Sequence, residues 1–339
     1  MISCFGFLDE EHLINFNLFW NIKLMKMAFA SFPYLSCILL SCVIGLLIIL
    51  FLPERRKQEI KWVSAVFSGI PLALSLYLFL AYDKSTGGLQ FVEKIIWVKS
   101  LGITYFNAAD GFNLPNLLLT GIVFFTGVLT MWELQSRVKE FYALYFLLVS
   151  GVFGLFMSMD LFFIFVWYDV SLFPMYLLIV VWGTTRKEYA AMKLTLYLLA
   201  GSALILPAIV YLFVKSGMNT FDIVSLMQPG TFTVDQQKFA FILLFLGFGI
   251  LAAVWPFHTW SPVGHVAAPH AVSMVHAGVL MKIGAFGVLR VAIFLCPQGW
   301  QHWAQLMALL AAIGIVYGAL AGLRQTDLKY VIGYSSVSH

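Results

Sequence analysis

The sequence predicts an all-α polytopic membrane protein, and three observations carry that reading. Of 339 residues, 61% are hydrophobic and 11% charged, and the mean hydropathy of +0.91 lies outside the range of soluble globular domains. Several apolar runs reach the roughly 20 residues that a helix needs to cross about 30 Å of hydrocarbon. None shows the alternation of polar and apolar residues, in segments of about 10, that marks a membrane β-barrel. The net charge of +4 sits mostly in connections and leaves no basic stripe for a nucleic acid.

Taken in order, residues 1–32 stand apart as an N-terminal lead-in. They carry Asp9, Glu10 and Glu11 and lack the basic start and small-residue cleavage site of a signal peptide. Residues 33–339 form one membrane domain. Its apolar spans fall at about 33–52, 62–82, 114–133, 141–158, 160–183, 190–214, 238–256, 269–295 and 303–323, with another starting near 328. That last run is too short to recross the hydrocarbon, which implies a truncated chain. Every second connection is basic: Arg55, Arg56, Lys57 and Lys61; Arg137 and Lys139; Arg186, Lys187 and Lys193; Arg324 and Lys329. The positive-inside rule puts these on the cytoplasmic side. Cys4, Cys37, Cys42 and Cys296 lie in or beside apolar runs without metal-ligand spacing, and read as buried thiols.

An ionisable group deep in a span needs a partner, a water-filled cavity or a task. Asp169 in "FIFVWYDVSLFPMYLLIVVWG" and Lys282 in "HAGVLMKIGAFGVLR" are the two deepest. A fixed ion pair that only holds helices together is the plain alternative for each. Gly278, one turn before Lys282, leaves room for water or backbone beside the amine, whereas His276, six positions away, points elsewhere. Lys193 and Arg290 lie nearer span ends, where long side chains snorkel to the interface; snorkelling is the expectation for Arg290 in particular.

The stretch "GILAAVWPFHTWSPVGHVAAPH" breaks an apolar run with Pro256 and Pro262. Both remove backbone donors, and unwound backbone at membrane depth is tolerated only inside protein or along a polar cavity. His258, His265, His270 and His276 crowd into nineteen residues. Histidine is the side chain suited to exchanging protons near neutral pH; structural hydrogen bonding and a metal site are the alternatives, although the spacings do not put the four on one helical face.

Together "NAADGFNLPNLLLTGIVFF", "WYDVSLFPMYLLIVVWG", "AAVWPFHTWSPVGHVAAPHAVSMVHAGVLMKIGAFGVLR" and "LRQTDLKYVIGYSSVSH" resemble the antiporter-like membrane subunits of respiratory complex I, with the M-type branch nearest. The match runs from about residue 33 to the end. The resemblance implies an inverted-repeat bundle of about fourteen helices, some discontinuous, of which about ten lie here. It implies a proton path through the fifth-helix acid at Asp169, with Pro174 in step, the sixth-helix Lys193 and the eighth-helix Lys282, to which the residues of the break themselves add His258, His265 and His276 as candidate relays. Two expected charges are missing: Leu251 replaces the seventh-helix lysine and Val263 an acid after the break. Asp169 is therefore expected either to hold its proton or to take a cationic partner from Lys193 or a histidine of the break.

The implied role is a proton-translocating membrane subunit of an NADH:quinone oxidoreductase in the bacterial inner (cytoplasmic) membrane. The implied partners are the other membrane and peripheral subunits of that assembly and the lipid bilayer. No cofactor is expected in this chain; FMN, iron–sulfur clusters and quinone belong to the partner subunits. A subunit of a multi-component sodium/proton antiporter, and a non-pumping scaffold or ion-uptake partner, remain open.

Overall fold

A computed structural model describes residues 32–339; Cys4 and nearly all of the lead-in lie outside it. The apolar runs become helices in the expected order: α1 (Tyr34–Phe51), α2 (Lys57–Ala81), α3 (Leu114–Thr130), α4 (Val138–Met157), α5 (Leu161–Trp182) and α6 (Lys187–Ser216). After the short α7 (Ile223–Leu226) come α8 (Val234–Leu251), α9 (Trp260–Ala267), α10 (His270–Ile293), α11 (Pro297–Leu323) and α12 (Leu328–Ser338). Among the described residues eight helices are long and apolar enough to cross a membrane, and α3 is shorter at 17 residues. The chain is a multi-pass membrane protein.

α4 is the axis of the bundle. Its most apolar stretch is 83% buried, against 11% for α11 at the periphery, because α4 packs on α5, α1 and α3 at once. The four basic connections gather at one end. Lys57 donates to Gln135 O at 2.7 Å, Trp182 to Ser136 O at 3.0 Å, and Thr184 N to Ala267 O at 2.9 Å, while Lys329 reaches Val266 O at 3.3 Å. Spans alternate in direction between this end and the opposite one, as the charge pattern requires.

The opposite end corrects the purely helical expectation. Residues between α2 and α3 form an antiparallel hairpin, β1 (Gln90–Val98) and β2 (Ile103–Ala109). The hairpin is stitched to two later connections: Met159 N donates to Phe106 O at 2.8 Å, Leu161 N to Phe221 O at 2.9 Å and Ile223 N to Met159 O at 3.0 Å. Acidic side chains finish the helix ends here, since a helix start leaves backbone donors unpaired. Glu93 of β1 accepts from Leu35 N at 2.8 Å and Ser36 N at 3.0 Å, capping α1 from outside. Asp160 caps α5 through Phe162 N (2.9 Å) and Phe163 N (3.3 Å), and its other oxygen takes Thr104 N at 3.0 Å. Asp222 caps α7 and holds Lys94 Nζ at 2.7 Å.

The interruption also differs from the expected one. α8 stops at Leu251 rather than near 256, and the chain runs irregularly to a 3₁₀ turn at Phe257–Thr259 before α9 resumes. Ala253 there takes a φ of 56°, a left-handed conformation that non-glycine residues rarely adopt and that costs strain. Pro262 does not break the helix. It occupies the first turn of α9, where its missing N–H has no intrahelical partner to lose. The second interruption falls at Ala268–Pro269.

Candidate functional site

The break between α8 and α9 is held by a few contacts with the freed backbone. Trp260, fully buried, donates its indole N–H to Ile250 O at 3.0 Å, a carbonyl at the end of α8 that also accepts from Ala253 N at 3.1 Å. Thr259 Oγ1 donates to Tyr197 OH of α6 at 3.0 Å. α10 runs against the unwound segment at Gly284, where a Cβ would collide with Ala252 N and Phe248 O; only glycine permits that approach.

Within this frame the structure brings two histidines together. His265 and His276 stack with ring centroids 4.0 Å apart and an interplanar angle of 12°, and His276 stacks on Trp260 at 5.1 Å and 7°. The column joins α9 to α10 across the second interruption, which is why helical spacing alone did not predict it. His265 Nδ1 lies 3.3 Å from Ser273 Oγ. His265 Nε2 and both ring nitrogens of His258 and His276 are buried without a protein partner. His258 meets Tyr317 edge-on at 4.8 Å, and His270 is exposed at the basic end. Among the described residues no three His, Cys, Asp or Glu side chains are grouped to hold a metal.

Asp169 lies on α5, its carboxylate accepting from Ser202 Oγ of α6 at 2.9 Å. It borders an open cleft of about 420 Å³ with Leu147, Phe165, Val166, Val170 and Phe173. Among the described residues it has no ion pair, so the partner expected from Lys193 or a histidine is a serine instead. Leu251, where the resemblance implies a lysine, is buried apolar packing. Lys193 is half-buried, its amine 5.9 Å from the Tyr189 ring centroid.

Lys282 is exposed on α10 and donates to Ala277 O at 2.8 Å. That carbonyl lies in a widened π turn, His276–Leu280, a departure from α geometry frequent at functional sites. Gly278 does not open space beside the amine; it packs toward Val123 of α3. Arg290 corrects the snorkelling expectation most clearly. It is buried, ion-paired with Asp110, and its guanidinium lies 5.4 Å from the ring centroids of both Phe112 and Phe286. An inward face of α10 at this level, together with an acid on a nearby connection, outweighs proximity to the span end.

Ser202, Trp260 and Ser273 were missed by the sequence reading. Ser202 had one available signal, a hydroxyl in an apolar span that also holds Thr195; Trp260 and Ser273 had none.

An α-helical bundle of apolar spans, one of them interrupted, with buried imidazoles at the interruption, defines the class of multi-pass membrane proteins built on discontinuous helices. More particularly, the chain belongs to the family described as NADH:quinone oxidoreductase/Mrp antiporter, transmembrane, whose model matches residues 158–339. It is 36% identical over 311 residues to NAD(P)H-quinone oxidoreductase chain 4 3 of Picosynechococcus sp., covering 91% of this chain and 56% of that protein. A Microcystis aeruginosa relative, NAD(P)H-quinone oxidoreductase chain 4 2, is 35% identical over 313 residues, again 91% of this chain and 56% of the relative. The chain thus spans little more than half the length of the curated relatives it matches. Among solved structures it is similar to a chain of respiratory complex I from Thermus thermophilus with bound NADH, with a TM-score of 0.80 at 27% identity, covering 90% of this chain and 62% of that one. The Mrp complex from Dietzia sp. shares the fold, with a TM-score of 0.76 at 21% identity over 91% of this chain and 57% of that one.

Proposed function

We propose that this chain is a proton-translocating membrane subunit of a complex I-type NADH:quinone oxidoreductase, embedded in a bacterial cytoplasmic membrane and assembled with further membrane and peripheral subunits. The observation that carries the proposal is the interrupted span itself: buried imidazole nitrogens without protein partners lie at and just after the break, while Asp169 lies on α5, bonded to Ser202 of α6, and Lys282 on α10. Buried polar groups left unpaired cost about 1–3 kcal/mol each, and a role in passing protons through intervening water accounts for their retention.

Each residue has a distinct task in this reading. Asp169 receives or gives a proton on the α5 side, with the Ser202 hydroxyl orienting its carboxylate. His258, His265 and His276 relay, and Lys193 contributes positive charge near the break. Lys282 carries the proton on α10, its amine steadied by Ala277 O. This chain holds no redox centre; FMN, iron–sulfur clusters and quinone sit in the partner subunits, and their electron transfer drives the proton steps here.

Asp169→Asn keeps the shape and removes the titrating group, and Lys282→Met does the same for the amine. In the native assembly reconstituted in vesicles, both are expected to preserve assembly and lower the protons moved per electron. An unchanged ratio in both would refute translocation through this chain. Leu251 favours a second reading, a non-pumping scaffold or ion-uptake partner, because the cation that the resemblance implies beside Asp169 is absent there. That unchanged ratio is the result it predicts. A ratio that depends on sodium instead of pH would indicate the sodium/proton antiporter reading.

A further inference from the structure

The Asp110–Arg290 pair lies outside the proton path described above, yet it joins that path to the hairpin end of the molecule. Arg290 sits on α10 eight residues beyond Lys282, about 12 Å along the axis at 1.5 Å per residue. The helix turns wide again here, as a π segment over Val288–Ile293. Exposed positions on α10 step from Lys282 to Ala285, Leu289 and Phe294. The final step of five residues fits the wide turn and keeps Arg290, Val291 and Ala292 facing inward.

On the other side Asp110 is a junction. Its Oδ1 accepts from Phe112 N at 3.0 Å and Asn113 N at 2.9 Å, and its Oδ2 accepts from Arg290 Nη2. Asn113 in turn donates to Ala108 O of β2 at 2.8 Å and to Phe156 O of α4 at 3.1 Å. One carboxylate therefore links β2, the start of α3, the end of α4 and the outer half of α10. Phe112 and Phe286 stack at 5.2 Å and 9° and flank the guanidinium, which screens the pair from water and strengthens it.

We propose that Asp110 and Arg290 form a clasp of positioning residues that fixes the outer half of α10 to the hairpin end, and thereby sets the placement of Lys282 for proton transfer. The clasp works because the two ends of α10 are not independent. Both π segments are points where the helix can slip by one residue, and an ion pair anchored in four elements holds the outer one in register. Gly284, between Lys282 and Arg290, rests against Ala252 and Phe248 at the break, and the clasp keeps that contact, and with it the Lys282–Ala277 bond, in register.

The clasp rests on the proton-translocation reading, and one experiment separates the two. Protons moved per electron are measured in the reconstituted native assembly for Arg290→Gln, Arg290→Lys and Asp110→Asn, beside Asp169→Asn and Lys282→Met. Arg290→Gln and Asp110→Asn are expected to lower the ratio about twofold or more in the complexes that assemble, the range for breaking a coupling contact. Electron transfer per assembled complex stays near normal. Arg290→Lys, which keeps the charge and loses the planar fork, lowers the ratio less than Arg290→Gln. A normal ratio in Arg290→Gln, with only the amount of assembled complex reduced, overturns the clasp and leaves a structural ion pair. Should Arg290→Gln yield no complex, a normal ratio in Arg290→Lys overturns it equally. If Asp169→Asn and Lys282→Met leave the ratio unchanged, the translocation reading fails first; if they lower it and the Arg290 variants do not, the clasp alone fails.

Discussion

The hairpin end and the interrupted span bury polar side chains in opposite ways. At the hairpin end Asp160 is fully buried and its carboxylate accepts three backbone N–H groups, and Asp222 is bonded to two backbone N–H groups, a serine hydroxyl and a lysine. At the interrupted span three buried histidines leave five ring nitrogens without a protein partner. Saturated polar groups hold an architecture in one state, because any other state loses several bonds at once. Unsaturated ones retain hydrogen-bonding capacity for something that passes. The contrast separates the acids that build this protein from the groups proposed to pass protons.

The largest test of the contrast is Asp160→Ala. It strands three donors at about 1–3 kcal/mol each, so assembled protein should be scarce and its thermal unfolding early; near-normal yield and melting would show that the acid is dispensable. Next is pH. Burial pushes the Asp160 carboxyl up to about 6 from 3.8, so the folded state binds the proton more tightly than the unfolded chain does. The resulting stability is fully present below about pH 4 and is lost as the pH rises through about 6, a difference on the order of 3 kcal/mol. Hydrogen exchange at the Thr104 and Phe163 amides, corrected for intrinsic rate, should slow on going from pH 7 to pH 5. Faster exchange at pH 5 would reverse the assignment.

His276→Phe probes the other side. It keeps the stack between Trp260 and His265 and removes two unpartnered nitrogens, so the protein should melt no earlier, or later by about 1 kcal/mol of stability, while proton movement falls. Earlier melting with intact pumping would mean that His276 belongs with the structural acids. The smallest expected effect is at Lys94→Ala. Its side chain is 46% exposed, and a half-exposed pair is worth at most about 1 kcal/mol; a loss as large as that of Asp160→Ala would show the bridge to be part of the saturated core.

The two regions were not equally legible. Every membrane span could be read because a run of about 20 apolar residues is a local signal, and the alternating basic connections fixed their directions. The hairpin was not legible. Residues 90–98 bind to β2 nearby, but β2 is in turn held by residues 158–160, and those by 221–223, contacts that leave no trace in any single window. Asp169, Lys282 and the histidines stood out because charge and imidazole are rare at membrane depth. Their partners did not: Ser202 is 33 residues from Asp169, and α and π turns share one composition, so neither the Ala277 carbonyl nor the inward face of Arg290 was visible. Pro262 misled because a proline in a first turn and one at a break look alike in sequence.

The stitching of the hairpin end also sets a timetable for synthesis. Asp110 precedes Arg290 by 180 residues, and at roughly 5–20 residues per second the ribosome needs about 10–40 s to supply the partner. Residues 106 and 159 meet sooner, and 161 and 221 later again, so the hairpin end closes in stages as successive spans arrive. Until α10 is inserted, the carboxylate of Asp110 has only its own turn to bind, and the early helices remain free to adjust. The Asp110–Arg290 bond, which docks the outer part of α10, forms after those of residues 159, 161 and 223, and a nascent chain halted before Arg290 would expose an unfinished hairpin end to whatever quality control patrols that side of the membrane.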